Sequence, residues 1–124
     1  MNVKQQPVVW FSIPVSNLDR AIAFYNAVFD LGLEATEYEG EKTAFFPMAE
    51  GQAGGMFSVD KERAGRNGVI LYLNGGEDLA HVLDKITGAE GKVTLPKTDI
   101  GQSWGFYAHF LDSEGNELGL WSPG

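Results

Sequence analysis

The same order of elements occurs twice in this chain, and that doubling limits what it can fold into more than any other feature. In the first half, residues 8–15 are an apolar, β-rich run. Leu18, Ala21, Ile22, Tyr25, Val28 and Phe29 then recur at three- and four-residue spacing, which predicts a helix over 18–29. Ser16-Asn17 supplies N-cap chemistry and Gly32 is placed to end the helix. Strand candidates at 33–38, 42–47 and 54–59 follow. After a polar linker at 60–67 the order repeats: a strand at 69–73, a helix at 78–87 with Leu79, Val82, Leu83 and Ile86 as its stripe, and strands at 92–97, 104–111 and 117–121.

A β-α-β-β-β unit has a sheet face it cannot bury alone. Two such units predict one α+β domain over 1–124, with module one at about 8–59 and module two at about 68–122. The expected architecture is two βαβββ modules forming one curved mixed sheet, with helices on the convex face and a cavity on the concave face. The closing hairpin carries the strongest local pattern. Asp112-Ser113-Glu114-Gly115-Asn116 is a turn sequence flanked by alternating residues. Its second strand, Gly119-Leu120-Trp121-Ser122, echoes Gly55-Met56-Phe57-Ser58 in the first half.

Composition removes several chemistries. The 124 residues include no cysteine, so disulfides, thiolate nucleophiles and cysteine-held zinc are excluded. A metal would have to be held by the two histidines and carboxylates. The net charge of −8, with nine scattered Lys and Arg, argues against a nucleic-acid partner and would suit a cationic ligand. No apolar run reaches signal-peptide or membrane-spanning length, so the expectation is a cytoplasmic protein with no membrane partner.

Three segments carry a resemblance to a known family. They are I-P-V-S-N-L-D-R-A-I-A-F-Y-N-A-V-F at 13–29, G-K-V-T-L-P-K-T at 91–98 and F-L-D-S-E-G-N-E-L-G-L-W at 110–121. In this order, and with the duplication, the chain resembles the vicinal-oxygen-chelate superfamily of glyoxalases, bleomycin-resistance proteins and extradiol dioxygenases. It is most similar to the branch related to lactoylglutathione lyase. In metal-using members, the ion is held by residues from the first and last strand of each half. By motif those positions fall here on Trp10, Gly55, Val69 and Gly119, none of which has a donor for a divalent cation. Among their neighbours only Glu117 could ligate, so the resemblance implies the fold without its metal or any other cofactor. The extradiol enzymes also place a tyrosine on the strand before the last turn. That position is His109 here, with Phe45 as its first-half counterpart.

With the motif positions facing inward, strand alternation assigns Trp10, Ser12, Phe45, Phe57, Val69, Leu71, Tyr107 and Trp121 to the cavity. His109 and Glu117 are its polar groups, either a general acid–base pair or a plain edge ion pair. His81 falls off its helix's apolar stripe and reads as solvent-exposed. The expected function is metal-independent binding of a small aromatic or cationic molecule by a homodimer, as in the antibiotic-sequestering branch. The rival is a glyoxalase-like lyase or isomerase, or a dioxygenase-related enzyme, either metal-dependent or using His109 and Glu117. A third reading is a structural or regulatory protein whose own aromatics fill the cavity.

Overall fold

A computed structural model describes residues 10–48, 54–65 and 70–124. The first module comprises β1 (Trp10–Val15), α1 (Leu18–Phe29), β2 (Thr36–Tyr38), β3 (Glu41–Phe45) and β4 (Gly54–Val59). The second comprises β5 (Tyr72–Asn74), α2 (Leu79–Gly88), β6 (Lys92–Asp99), β7 (Phe106–Leu111) and β8 (Glu117–Ser122). This is the α+β arrangement of paired βαβββ modules that the sequence predicts. Backbone hydrogen bonding runs within each module, giving two four-stranded sheets ordered β1-β4-β3-β2 and β5-β8-β7-β6. The first and last strand of each module pair in parallel, and the remaining neighbours are antiparallel.

One face of each sheet is buried under its helix. Leu18, Ala21, Phe24, Tyr25 and Val28 of α1 meet Ile13, Val15, Ala44 and Phe57, while Leu79 and Ile86 of α2 join Ala108, Phe110, Leu118 and Leu120. Tyr25 is the hub of the first cluster. Its ring lies 4.7 Å from that of Phe57 and stacks at 6.0 Å on that of Phe29. The opposite faces retain exposed rings, among them Trp10, Tyr72 and Trp121.

The modules are fastened by the turn between β7 and β8. Gly115 takes a positive φ of 82°, and Asp112 Oδ1 accepts the backbone N–H groups of Glu114 and Asn116 at 2.8 and 2.9 Å. That folds Glu114 back against the start of α1. Its carboxylate accepts the N–H groups of Ser16 and Asn17 at 2.9 and 2.8 Å, and Arg20 Nε and Nη2 at 2.7 and 3.0 Å. A carboxylate at a helix N-terminus is also favoured by the helix dipole. On either side, Tyr25 Oη donates to Asp112 Oδ2 at 2.8 Å and Asn116 Nδ2 donates to the Pro14 carbonyl at 2.7 Å. Burial, the largest influence on Glu114, would raise its affinity for protons, but the Arg20, Asn17 and Ser113 bonds outweigh it and hold the carboxyl below its ordinary range. For Asp112 burial wins and pushes the carboxyl up, against the bonds from Tyr25, Asn116 and Glu114. Burial first, then the Asp112 charge, raises Tyr25 well above a free phenol.

Several boundaries differ from the sequence expectation for local reasons. Asp30, in the left-handed region at φ 52°, caps α1 before Gly32 is reached. Leu33 starts no strand because the Asn26 side chain takes both its backbone groups, at 2.7 and 3.0 Å. The predicted residues 8 and 9 of the first strand, and Val69 of the fifth, lie outside the described residues. The echo between β4 and β8 also slips by one position. Gly119 pairs with Tyr72 and Gly54 with Trp10, so Gly54, not Gly55, is the structural counterpart of Gly119.

Replacing Glu114 by Gln is expected to lower the unfolding free energy by about 2–3 kcal/mol, the worth of its charge-assisted hydrogen bonds, as read by urea unfolding at neutral pH. Because the folded carboxyl is held below its unfolded value, its contribution is full above the ordinary carboxylate range and fades as pH falls through the lower folded value. Asp112 has the opposite sign in both proteins. The gap between wild type and Glu114→Gln should therefore close in acid.

Candidate functional site

The polar groups of the second module's open face are brought together by a missing side chain. Tyr72, Gly119 and His109 lie in one row across β5, β8 and β7. Residues two strands apart are roughly 10 Å apart at the backbone, so the flanking side chains can meet only if the central one is absent. Gly119 supplies that absence: a Cβ there would collide with the Tyr72 ring. The ring lies across the glycine, and Tyr72 Oη reaches His109 Nε2 at 2.7 Å. On its other side, His109 Nδ1 is 3.9 Å from Glu117 Oε2, a separation at which a charged imidazole and a carboxylate attract without a direct hydrogen bond. Thr94 Oγ1 donates to the same carboxylate oxygen at 2.8 Å.

Beside this row is an open pocket of about 520 Å³ lined by Tyr72, Tyr107, Trp121, Ile100 and Asp99. The β6–β7 loop forms one wall. Its Trp104 carbonyl accepts Trp121 Nε1–H at 3.0 Å, and Gly105, at φ 98°, lies so close to the indole that no side chain fits between. The Tyr72 and Tyr107 rings stand 6.5 Å apart, and those of Tyr107 and His109 are 5.8 Å apart. Aromatic walls with a carboxylate at the rim suit a flat or cationic guest.

The sequence-predicted residues divide among several places. Tyr107, His109, Glu117 and Trp121 share the second sheet's open face, with His109 and Glu117 close enough to act together. Trp10, Ser12 and Phe45 lie on the open face of the first sheet, where the Trp10 and Phe45 rings are 6.2 Å apart and Ser12 Oγ bonds Ser58 Oγ at 2.8 Å. Phe57 is a correction: it is fully buried among Tyr25 and Phe46 on the helix side, because the slipped echo gave it the wrong face. Leu71 is another. It packs against the core and borders a cleft of about 70 Å³ shared with Ser12, Pro14 and Glu117, apart from the aromatic pocket. Phe45 is paired with Met56 as Tyr107 is with Trp121, so its counterpart is Tyr107 and not His109. His81 is exposed on α2.

Tyr72, Thr94, Asp99 and Ile100 were not expected at the site. For Tyr72 a signal existed: Leu71 and Leu73 alternate with Tyr72 and Asn74, and placing the leucines inward points the tyrosine to the open face.

Residues 8–120 match the family model of the Glyoxalase/Bleomycin resistance protein/Dioxygenase superfamily. The chain belongs to this superfamily. Among curated protein sequences none matches it significantly. Solved structures with the same fold include a hypothetical protein from S. aureus, with 20% identity, TM-score 0.69 and 95% of each chain covered. They also include the fosfomycin resistance protein FosX from Listeria monocytogenes, with 17% identity, TM-score 0.70, 94% of this chain and 93% of that one. A glyoxalase/bleomycin resistance protein from Catenulispora acidiphila aligns at 24% identity and TM-score 0.62 over 94% and 98%. FosX has been crystallised with Mn(II).

The superfamily's metal finds a poor donor set in this member. Trp10, Gly55 and Gly119 carry no ligating atom, Val69 lies outside the described residues, and the open-face glycine next to Trp10 is Gly54. Among the described residues no group of three or more His, Asp or Glu is placed to hold an ion.

Adding one methyl group at Gly119 tests the assembly of the site. Gly119→Ala is expected to lift the Tyr72 ring and break its bond to His109, at a stability cost of about 1–3 kcal/mol from overpacking. Thermal unfolding would read the second effect, and a changed His109 ring-nitrogen chemical shift would read the first.

Proposed function

We propose that the protein binds a small aromatic molecule, preferably a cationic one, in the pocket of its second module, without a metal of its own. The observation that carries this reading is the pocket lining, in which Tyr72, Tyr107 and Trp121 present ring surface and Asp99 adds a carboxylate. A cation over such rings is attracted by their quadrupoles, and the chain's net charge of −8 draws cations toward it. The fosfomycin- and bleomycin-resistance names of similar proteins agree with handling small molecules, while the Mn(II) found with FosX is not carried over, since the described residues hold no matching donor set.

The same reading has two copies of the chain pairing. Trp10 and Trp121 stand 44% and 42% exposed on the two open faces, ring surface of the kind that interfaces between chains are enriched in. Light scattering should give twice the chain mass of 13.5 kDa, and a monomer at micromolar concentration would remove this part of the reading.

Titration of tryptophan fluorescence with planar aromatic cations, and with neutral and anionic isosteres, tests the ligand class. Cations should quench most tightly. Trp121→Phe should remove most of the signal, and Asp99→Asn should weaken cation binding by about 3–10-fold, the equivalent of one partly exposed charge contact. EDTA should leave affinities unchanged. Absence of binding across the panel, or binding only with an added divalent metal, would overturn the proposal.

A further inference from the structure

The pocket wall contains more than binding requires. A hydrophobic pocket for a cation needs rings and a carboxylate, yet behind Tyr72 stands a chain of phenol, imidazole, carboxylate and hydroxyl drawn from four strands. The order of exposure along this chain is informative. Tyr72 is 52% exposed and lines the pocket, whereas the side chains of His109 and Glu117 are 18% and 22% exposed and lie behind it. Only the first member is placed to touch a guest.

We propose that Tyr72, His109 and Glu117 form a proton relay, with which the pocket catalyses tautomerisation of a small aromatic carbonyl compound bearing a C–H bond next to its carbonyl. The inference rests on the pocket reading above and adds a reaction to it.

The relay requires one of the two neutral imidazole tautomers. An imidazole proton on Nδ1 faces the Glu117 carboxylate, leaving Nε2 to accept from the Tyr72 hydroxyl. A phenol can take a substrate proton only by giving up its own, and Nε2 is in place to receive it. In the forward step the substrate C–H proton passes to Tyr72 Oη while the original hydroxyl proton passes to His109 Nε2. The C–H electron pair becomes the carbon–carbon π bond of the enolate, and the carbonyl oxygen takes the negative charge. His109 becomes imidazolium opposite the Glu117 carboxylate, which is held by Thr94. In the return step Nε2 gives its proton back to Oη, and Oη delivers one to the enolate oxygen. One proton leaves carbon and one arrives at oxygen, so the product is the enol, and the reverse sequence restores the ketone. No oxidant, reductant or metal enters the balance.

Tyr72 is the catalytic residue in this scheme, His109 its proton acceptor and Glu117 a positioning residue. The titratable groups around the imidazole are Tyr72 from β5, Tyr107 from its own strand and Glu117 from β8, while β6 presents the apolar Leu95. Gly119 belongs to the same device, since any larger residue there would separate the phenol from the imidazole.

Deuterium exchange tests the relay. The intact protein is incubated in heavy water with an aryl β-diketone and with trimethylammonio-acetophenone, and loss of the proton signal beside the carbonyl is followed by NMR. Fluorescence titration of the same two compounds is run in parallel. Wild type should accelerate exchange. Tyr72→Phe and His109→Ala should each reduce the acceleration by about 100-fold or more, the usual worth of a positioned acid–base group, measured with each variant saturated so that changes in affinity do not enter. Glu117→Gln should lower the acceleration and Glu117→Asp should restore part of it, both changes tracking the His109 ring-nitrogen chemical shifts; a purely structural role would lower the rate without that restoration. Circular dichroism confirms folding of each variant, and His109→Gln serves where His109→Ala is unfolded. Binding without acceleration, or Tyr72→Phe exchanging like wild type, overturns the relay and leaves the binding reading standing. If neither compound binds, the pocket reading and the relay fall together.

Discussion

The contact between the Glu114 carboxylate and the first turn of α1 holds this molecule together. Two backbone N–H groups that a helix start leaves unpaired, and the forked guanidinium of Arg20, converge on one carboxylate from the far end of the chain. Asp112 and Asn116 flank it, one receiving Tyr25 and the other reaching Pro14, so helix, strand and core of the first module are all tied to a single turn of the second. Among the described residues no fully buried side-chain polar atom lacks a partner. A half-satisfied version of this cluster would cost more than an apolar one, which makes the turn's five residues a unit rather than a set of separate contacts.

That fastening leaves the opposite sheet faces free for chemistry. With the helices on one side, the other side of β5, β8 and β7 is shaped by what its side chains omit. Gly119 clears the middle strand and Gly105 clears a place under Trp121, so that rings lie flat where ordinary residues would stand between them. The pocket and the phenol–imidazole pair both depend on these small residues: Gly119 lets the Tyr72 ring reach across to His109, and Gly105 leaves room for the Trp121 indole.

The sequence made most of the scaffold legible because its periodic signals were strong. The stripe from Leu18 to Phe29 defines α1 to the residue, and β4 follows from the apolar run after Gly54. The turn at Asp112–Asn116 was readable as a turn, but nothing local says that Glu114 reaches back to Ser16, since that contact is set by tertiary packing. On the open face, Glu117 and Trp121 were placed by alternation from Gly119, and His109, with Tyr107 beside it, by the position of the tyrosine in the extradiol enzymes that the chain resembles. Phe57 was misplaced because two consecutive glycines, Gly54 and Gly55, give no side chain with which to fix the strand's parity. Tyr72 was missed because taking Val69 as a motif position facing the cavity put Leu71 on that face and Tyr72 on the other, whereas Leu71 packs against the core.

The reach of Glu114 back to Ser16 and Asn17 bears on how the polypeptide is made. A ribosome delivers the N-terminal helix long before the residue that completes its first turn, and Tyr25 likewise waits for Asp112. Until residues 112–116 leave the exit tunnel, the leading half has a buried-to-be phenol and helix amides without their acceptors. Completion of the first module thereby waits for the β7–β8 turn and depends on closing loops of nearly a hundred residues. Loss of the β7–β8 turn would leave the first turn of α1 and the Tyr25 phenol without their acceptors.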